Sequence, residues 1–461
     1  AHGGPGGRRM TAAPLDRLAD LIADTTHDDL PDAVVRKATI HLLDTLGAGL
    51  AGAHSEETRI ALSVLGDERG DCPVWGTGER LTPRAAALVN GISSHAYEVD
   101  DTGGCDHSGA VVVPAALAAA DASTSPVSGA RLLTAIILGY DVGRRILEAL
   151  GGYEAHNGAG WHSTGTCGPF GAAAAAAHVL GLPAREAQAA LGLASSGSAG
   201  LWAFVHDGAM AKRLHAGRAA ESGLLAARLA AAGMTGPSAL LDDTWGGLLT
   251  TYAGQEAEPT TLTEELGRNW KIMRSSLKPY ASCRGTHSSV DALLAIMAEQ
   301  RLDAADIASV HVRLSPFLHG MCGGRSTATL AAAQLSLPYA VAAVLAHGHA
   351  GLDAYAQERR TGSELRAAME RIALEVDEEM PATEEPVVTV IGTAGHRWAR
   401  RITQASGSPG NPLTEPAVRE KFRALAGRVL APERTRVLED AAFGLAATGD
   451  VREFAGLLAG A

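Results

Sequence analysis

The sequence predicts a mainly α protein, with a large all-helical domain and a smaller α+β lid domain inserted before the C-terminal helices. Three observations lead there. From Thr11 to Thr261 apolar residues recur almost throughout at helical spacing. A shorter stretch then alternates apolar and polar residues, the period of a strand. From Thr414 to the end the helical period returns. A chain of 461 residues is also too long for one simple core. The predicted division is residues 11–266 with 405–461 for the helical domain and 267–404 for the lid, with residues 1–10 as a flexible leader or tag remnant.

The elements follow in order. Pro31 and Asp32 open a helix that runs to Gly52, with Val35, Ala38, Leu42, Leu43 and Leu46 on one face. A helix is predicted to start near Val113 and Pro114. Gly129 to Gly152 reads as a long, mostly apolar helix at the centre of a bundle. Gly217 to Pro237 reads as another, ended by Gly233. Strands are predicted at Ile307–Leu314, Pro386–Gly392 and His396–Gln404, with helices at Ser288–Gln300 and Ala328–His347 between them. No repeat of fixed period is present.

Composition excludes several functions. A formal charge of −12 argues against a nucleic-acid surface or a polybasic membrane anchor. No apolar run approaches the ~20 residues of a membrane span, and the first ten residues lack the apolar middle of a signal peptide. The five cysteines, Cys72, Cys105, Cys167, Cys283 and Cys322, form no C-x-x-C pair. They read as free thiols in a cytoplasmic protein. Aromatic residues make up only 4%, so close Ala and Gly packing is expected in place of large rings.

Two segments carry the chemistry. HAYEVDDTGGCDHSGAVVV, starting at His95, places Asp100, Asp101, Asp106 and His107 in one Gly-broken loop. Carboxylates beside an imidazole hold its tautomer and raise its basicity. GWHSTGTCGPFG, starting at Gly160, sets His162 on a Gly-rich turn feeding a helix, where backbone N–H groups and the helix dipole favour an anion. Lys212 and Arg213 open a helix whose dipole they oppose, which suggests that they meet an anion there. Lys278, Arg284 and His287 gather in LKPYASCRGTHSS and form a carboxylate receiver.

Together with MAKRLHAGRAAESGLLAA, AAQLSLPYAVA and GNPLT, these segments resemble the MmgE/PrpD family of 2-methylcitrate dehydratases, cis-aconitate decarboxylases and iminodisuccinate epimerases. The resemblance implies the helical domain with its lid, a homodimer, no cofactor and no bound metal. It also implies a small di- or tricarboxylate substrate, with 2-methylcitrate-type dehydration as the leading activity. By the same resemblance His107 and His162 are the acid–base pair. Lys212 and Lys278 contact the substrate, and Glu98, Asp101 and Thr102 orient or polarise it. Cys283 stands where the family varies with activity. Glu98 replaces the family's first Asp, and HSG stands where His-Pro-Ser is common. One added methylene moves a carboxylate by about 1.5 Å, a scale on which reacting geometry is sensitive.

A rival reading takes DDTGGCD as a Mg²⁺–diphosphate motif of a helical lyase. The poor aromatic content speaks against the carbocation chemistry that such enzymes perform. A transition-metal site from Asp101, His107 and His162 is a second rival.

Overall fold

The computed structural model describes residues 13–460, so the predicted leader lies outside the described residues. The first helices are α1 (Pro14–Asp24), α2 (Asp32–Ala51), α3 (Glu56–Leu65), α4 (Pro83–His95), α5 (Ser108–Asp121) and α6 (Gly129–Ala149). Then come the short α7 (Gly152–Gly158) and α8 (Ser163–Thr166), followed by α9 (Gly168–Leu180), α10 (Ala184–Ala194), α11 (Ala211–Ala231) and the short α12 (Leu248–Tyr252). The α9 segment GPFGAAAAAAHVL is buried on every side except at its last residue, and α5, α6, α10 and α11 pack around it.

Ala and Gly make this packing possible. A Cβ on Gly139 of α6 would stand 2.8 Å from the carbonyl oxygen of Gly171 on α9, and one on Gly171 would stand 2.7 Å from the carbonyl oxygen of Gly139. The two helices therefore cross backbone to backbone, where any side chain would push them apart.

A two-stranded hairpin, β1 (Arg69–Pro73) and β2 (Arg80–Leu81), interrupts the helical region. No alternation of apolar and polar residues marks it, because Gly70 and Pro73 sit where β-branched residues would signal a strand. The later region holds β3 (Ile307–Leu314), β4 (Ile372–Val376), β5 (Val387–Gly392) and β6 (Arg397–Arg401), in the order β4-β3-β5-β6. β3 pairs parallel with β4 and antiparallel with β5, and β5 pairs antiparallel with β6. The edge strand β4 adds to the three predicted strands. Its IALEV is short and carries a charge, which hides it among helical neighbours.

The helices of this region are α13 (His287–Gln300), α14 (Pro316–Cys322), α15 (Leu330–Gln334), α16 (Leu337–His347), the short α17 (Gln357–Arg360) and α18 (Ser363–Glu370), of which α13, α16 and α18 pack on the sheet. The helix predicted over Ala328–His347 is two helices. Ser336 caps the second, accepting the Tyr339 N–H at 3.1 Å, and Pro338 sits in its first turn, where no N–H is needed. α19 (Glu415–Ala426), α20 (Pro432–Phe443) and α21 (Val451–Gly456) close the chain, and α19 lies against α2. One large apolar core combines residues up to Leu277 with Val418–Leu458. A second gathers residues from Ala281 onward and reaches across to Ala48, Val99 and Phe204.

α5 starts at Ser108, five residues before the predicted start, and takes Pro114 into its interior. An interior proline costs a helix about 3 kcal/mol in isolation. Here the Asp101 carboxylate accepts the Gly109 N–H at 2.9 Å and fixes the first turn directly behind His107.

Gly139→Val should destabilise the protein by about 1–3 kcal/mol through overpacking at the α6–α9 crossing. Gly320→Ala is the control: nothing stands within 4 Å of a Cβ there, so it should be neutral or slightly stabilising. Chemical denaturation of both variants reads the difference.

Candidate active site

The loop from Ala96 to His107 joins α4 to α5 and carries most of the polar groups. Two of its residues, Glu98 (φ 54°) and Asp106 (φ 97°), have left-handed backbones, which non-glycine residues seldom adopt. Strain of this kind gathers where side chains must point in a set direction. The loop is tied to the later part of the chain by paired backbone bonds: Thr102 N–H to Ser276 O at 3.0 Å, and Ser276 N–H to Thr102 O at 2.7 Å.

His107 is the residue just before α5. Its Nδ1 lies 2.9 Å from an Asp100 carboxylate oxygen and 3.1 Å from the Asp101 carbonyl. Its Nε2 faces Asp106 Oδ2 at 3.5 Å. Burial works against the charged ring, but Asp106 and Asp100 outweigh it and raise His107 above its ordinary value. His162 precedes the short α8 and is fully buried. Its Nδ1 meets His215 Nδ1 at 2.9 Å. Its Nε2, which has no hydrogen-bond partner among the described residues, points at the same Asp106 oxygen from 3.7 Å. Burial first, then His215 and Lys212, hold His162 well below the ordinary imidazole value. One carboxylate oxygen thus stands between the two imidazoles, and Thr102 Oγ1 donates to its partner oxygen at 2.9 Å.

Glu98 is fully buried among cations. It accepts from Lys212, lies 3.0 Å from Lys278 Nζ and 3.4 Å from an Arg213 nitrogen, and has His95 Nε2 at 3.6 Å. Burial opposes its charge, yet Lys212 and Lys278 prevail and hold it far below the usual carboxylate range. In return, Glu98 and Asp100 overcome the burial of Lys278 and raise it.

A cavity of about 390 Å³ opens over these groups. Glu98, Thr102, His107, Lys212, Lys278, Cys283 and Arg284 line it. His162 lies just beneath, against Trp202 and Phe204. Arg284 is paired with Glu385 at 2.9 Å on the outer wall. Cys283 borders Met321, and the neighbouring Cys322 thiol holds it below the ordinary thiol value against burial. Two residues that the sequence nominates face elsewhere. Asp101 points away from the cavity, to His41 Nδ1 at 2.7 Å, the Tyr140 hydroxyl and the Gly109 N–H. His287 is buried behind the wall, with Nε2 3.2 Å from Ser282 O.

Asp100, Asp106 and Arg213, which the sequence groups with the site without giving them a role, belong to the assembly, as do His95 and His215, which it does not single out. His215 has a signal, since it sits three residues from Lys212 on one helix face. Asp106 has none, because its direction is set by its unusual backbone.

Two groups place possible metal-ligand atoms within 4.8 Å of one another: His95, Glu98, Asp100 and His107, and Asp106, His107 and His162. In the first, Lys212 and Lys278 already neutralise the Glu98 carboxylate. The second uses Asp106 where the sequence suggests Asp101. Neither Asp100 nor Asp101 lines the cavity, so the acidic run does not present the carboxylate pair that a Mg²⁺–diphosphate site needs.

Residues 16–260 match the MmgE/PrpD N-terminal domain and residues 280–444 the MmgE/PrpD C-terminal domain. A cis-aconitate decarboxylase-like protein of Aspergillus oryzae is 28% identical, with 96% of each chain covered. Cis-aconitate decarboxylase of Aspergillus terreus is 29% identical over 94% of this chain and 93% of its own. The Homo sapiens cis-aconitate decarboxylase is 28% identical over 91% and 89%. Matched by both domains in order, this chain belongs to the MmgE/PrpD family of enzymes.

Proposed function

We propose that the protein is a lyase that makes and quenches a carbanion-like state beside a carboxylate of a small organic acid, using His107 as base and His162 as acid. The observation that carries this is the pair of Nε2 atoms set 3.5 and 3.7 Å from one Asp106 oxygen. Their partners accommodate opposite tautomers. Two acceptors face His107 Nδ1, so the proton sits there and Nε2 offers its lone pair. The His162–His215 contact holds one proton between two Nδ1 atoms. Placing it on His215 leaves His162 with an Nε2–H that points at the Asp106 carboxylate.

A proton taken by His107 Nε2 creates an imidazolium flanked by Asp100 and Asp106, both of which stabilise it. Negative charge developing on the substrate carboxylate meets the N–H groups that Lys212 and Lys278 do not spend on Glu98. His162 delivers its Nε2 proton, the shared Nδ1 proton moves over from His215, and a solvent proton re-enters at Nε2 of the half-buried His215, so both rings stay neutral. Side chains of this chain make every proton transfer to and from the substrate, and no cofactor or metal is assigned.

Loss of CO₂ is the leading branch, because the relatives matched along nine-tenths of the chain carry the decarboxylase name. In that branch the electron pair of the carbon–carboxylate bond stays on the substrate and takes the His162 proton. Loss of water is the second reading, and a poised base and acid together favour it: His107 removes the proton and His162 protonates the departing hydroxyl. The 2-methylcitrate-type dehydration therefore stands behind decarboxylation, with epimerisation after both.

Proton NMR in D₂O of EDTA-treated protein with cis-aconitate, citrate, 2-methylcitrate and epimerisable succinates tests the reading. Turnover or deuterium uptake should survive EDTA, and the product names the branch. His107→Ala and His162→Ala should each lower it by about 10²-fold or more. Undiminished exchange in both variants, or activity only with added Mg²⁺ or Zn²⁺, would refute the proposal.

The pH profile gives a signed check. Where His107 acts as the base, as in loss of water or deuterium exchange, it must be unprotonated, so the rate should rise with pH through an inflection above the ordinary imidazole value of 6.5. Asp106→Asn removes the strongest of the charges that raise His107, and should move that inflection to lower pH. An inflection that stays in place would show that Asp106 does not tune His107.

A further inference from the structure

The charges that line the cavity are unevenly shared. Lys212, Lys278 and Arg213 all face Glu98, and Arg213 also lies 3.9 Å from Glu57. Lys278 also lies 3.8 Å from Asp100. Arg284 pairs with Glu385, which also accepts from the Ser288 hydroxyl at 2.6 Å. The inner cations are thus already matched by carboxylates of the protein. At the mouth the count differs. Glu148, at the end of α6, takes Arg144 Nε at 2.8 Å, Lys271 Nζ at 2.7 Å and Arg274 at 3.0 Å. Three cations share one carboxylate. Burial raises Glu148, and Lys271 and Arg144 more than reverse this, so it stays ionised. Arg144 and Arg274 both line the cavity. Beyond Glu148, Arg144 has only a long 3.5 Å contact to Gly104 O among the described residues, and the Arg274 side chain is 57% exposed. Glu154 lines the same mouth and forms no ion pair with these arginines, so positive charge remains in excess there even when Glu154 is counted.

From this uneven sharing we infer that Arg144 and Arg274, braced by Glu148, form a subsite at the cavity mouth for a remote carboxylate of the substrate. The inference rests on the reading of the cavity as a site for small carboxylic acids and adds where their far end is held. A guanidinium with free N–H groups matches a carboxylate edge to edge, and two of them converge here. The reacting carboxylate faces the lysines over Glu98, and a second one reaches outward to the arginines. The favoured substrate is therefore an acid with carboxylates at both ends. A third anionic group would meet Glu98, Asp106 or Glu385 without a free cation to receive it.

Equilibrium binding tests this with probes that cannot react. Calorimetry would compare glutarate, a saturated acid with a carboxylate at each end, and butyrate, which has one. Wild-type protein should bind glutarate more tightly than butyrate. Arg144→Gln and Arg274→Gln should each weaken glutarate about tenfold, the scale of one charge-assisted hydrogen bond, and leave butyrate nearly unchanged. Arg274 is exposed enough that its variant folds even if the Arg144 variant does not, and thermal melting checks both. Equal weakening of the two acids, unchanged glutarate binding in both variants, or no preference for glutarate in the wild type would overturn the subsite. Deuterium exchange on the acid panel separates this from the lyase reading. Exchange without arginine-dependent binding refutes the subsite alone, and arginine-dependent binding without exchange on any acid refutes the lyase alone.

Discussion

The buried Glu98 carboxylate is the constraint on which the site depends. An unpaired charge at that depth costs several kcal/mol. It is tolerable only because Lys212, Arg213 and Lys278 arrive around it from α11 and from the segment before α13. Those cations would themselves be intolerable without Glu98. Three distant stretches of chain are therefore fixed to one point, and the histidines inherit their positions from that fixation. Their ring partners, Asp100 and His215, come from the same loop as Glu98 and the same helix as Lys212.

Asp101 anchors a second, deeper layer. It spends its carboxylate on His41 from α2, Tyr140 from α6 and the first turn of α5, and its own carbonyl on His107. A residue adjacent to Asp100 thus faces the opposite way, toward the bundle. Neighbouring carboxylates in the loop split the work: Asp100 touches a reacting ring, and Asp101 holds the scaffold on which that ring rests.

The helical bundle is legible in the sequence because its apolar period is unbroken over long stretches such as Gly129–Ala149. What is not legible is hidden for local reasons. The hairpin at Arg69–Leu81 carries Gly and Pro in place of strand formers. The start of α5 lies earlier than its apolar pattern suggests because its cap is a carboxylate eight residues away in the loop. Within the site, Lys212, Lys278, His107 and His162 stand out as residues set in loop-to-helix motifs. Asp106 and His215 do not, since their importance lies in where a strained backbone and a helix face aim them. Asp101 and His287 look equivalent to their neighbours in the sequence, and only the side-chain directions separate them.

The tie between α19 and the start of the chain has a consequence for synthesis on the ribosome. Lys421 reaches back to Asp44 at 2.5 Å and to the Val99 carbonyl at 2.6 Å. Burial pushes Asp44 up to about 6 even with that lysine present. Until α19 has emerged, the nascent helical region holds Asp44 without its counter-charge and an open groove where that helix will lie. The counter-charge of Asp44 is thus made 377 residues after it, and a product truncated before α19 would present to chaperones a bundle missing one buried cation.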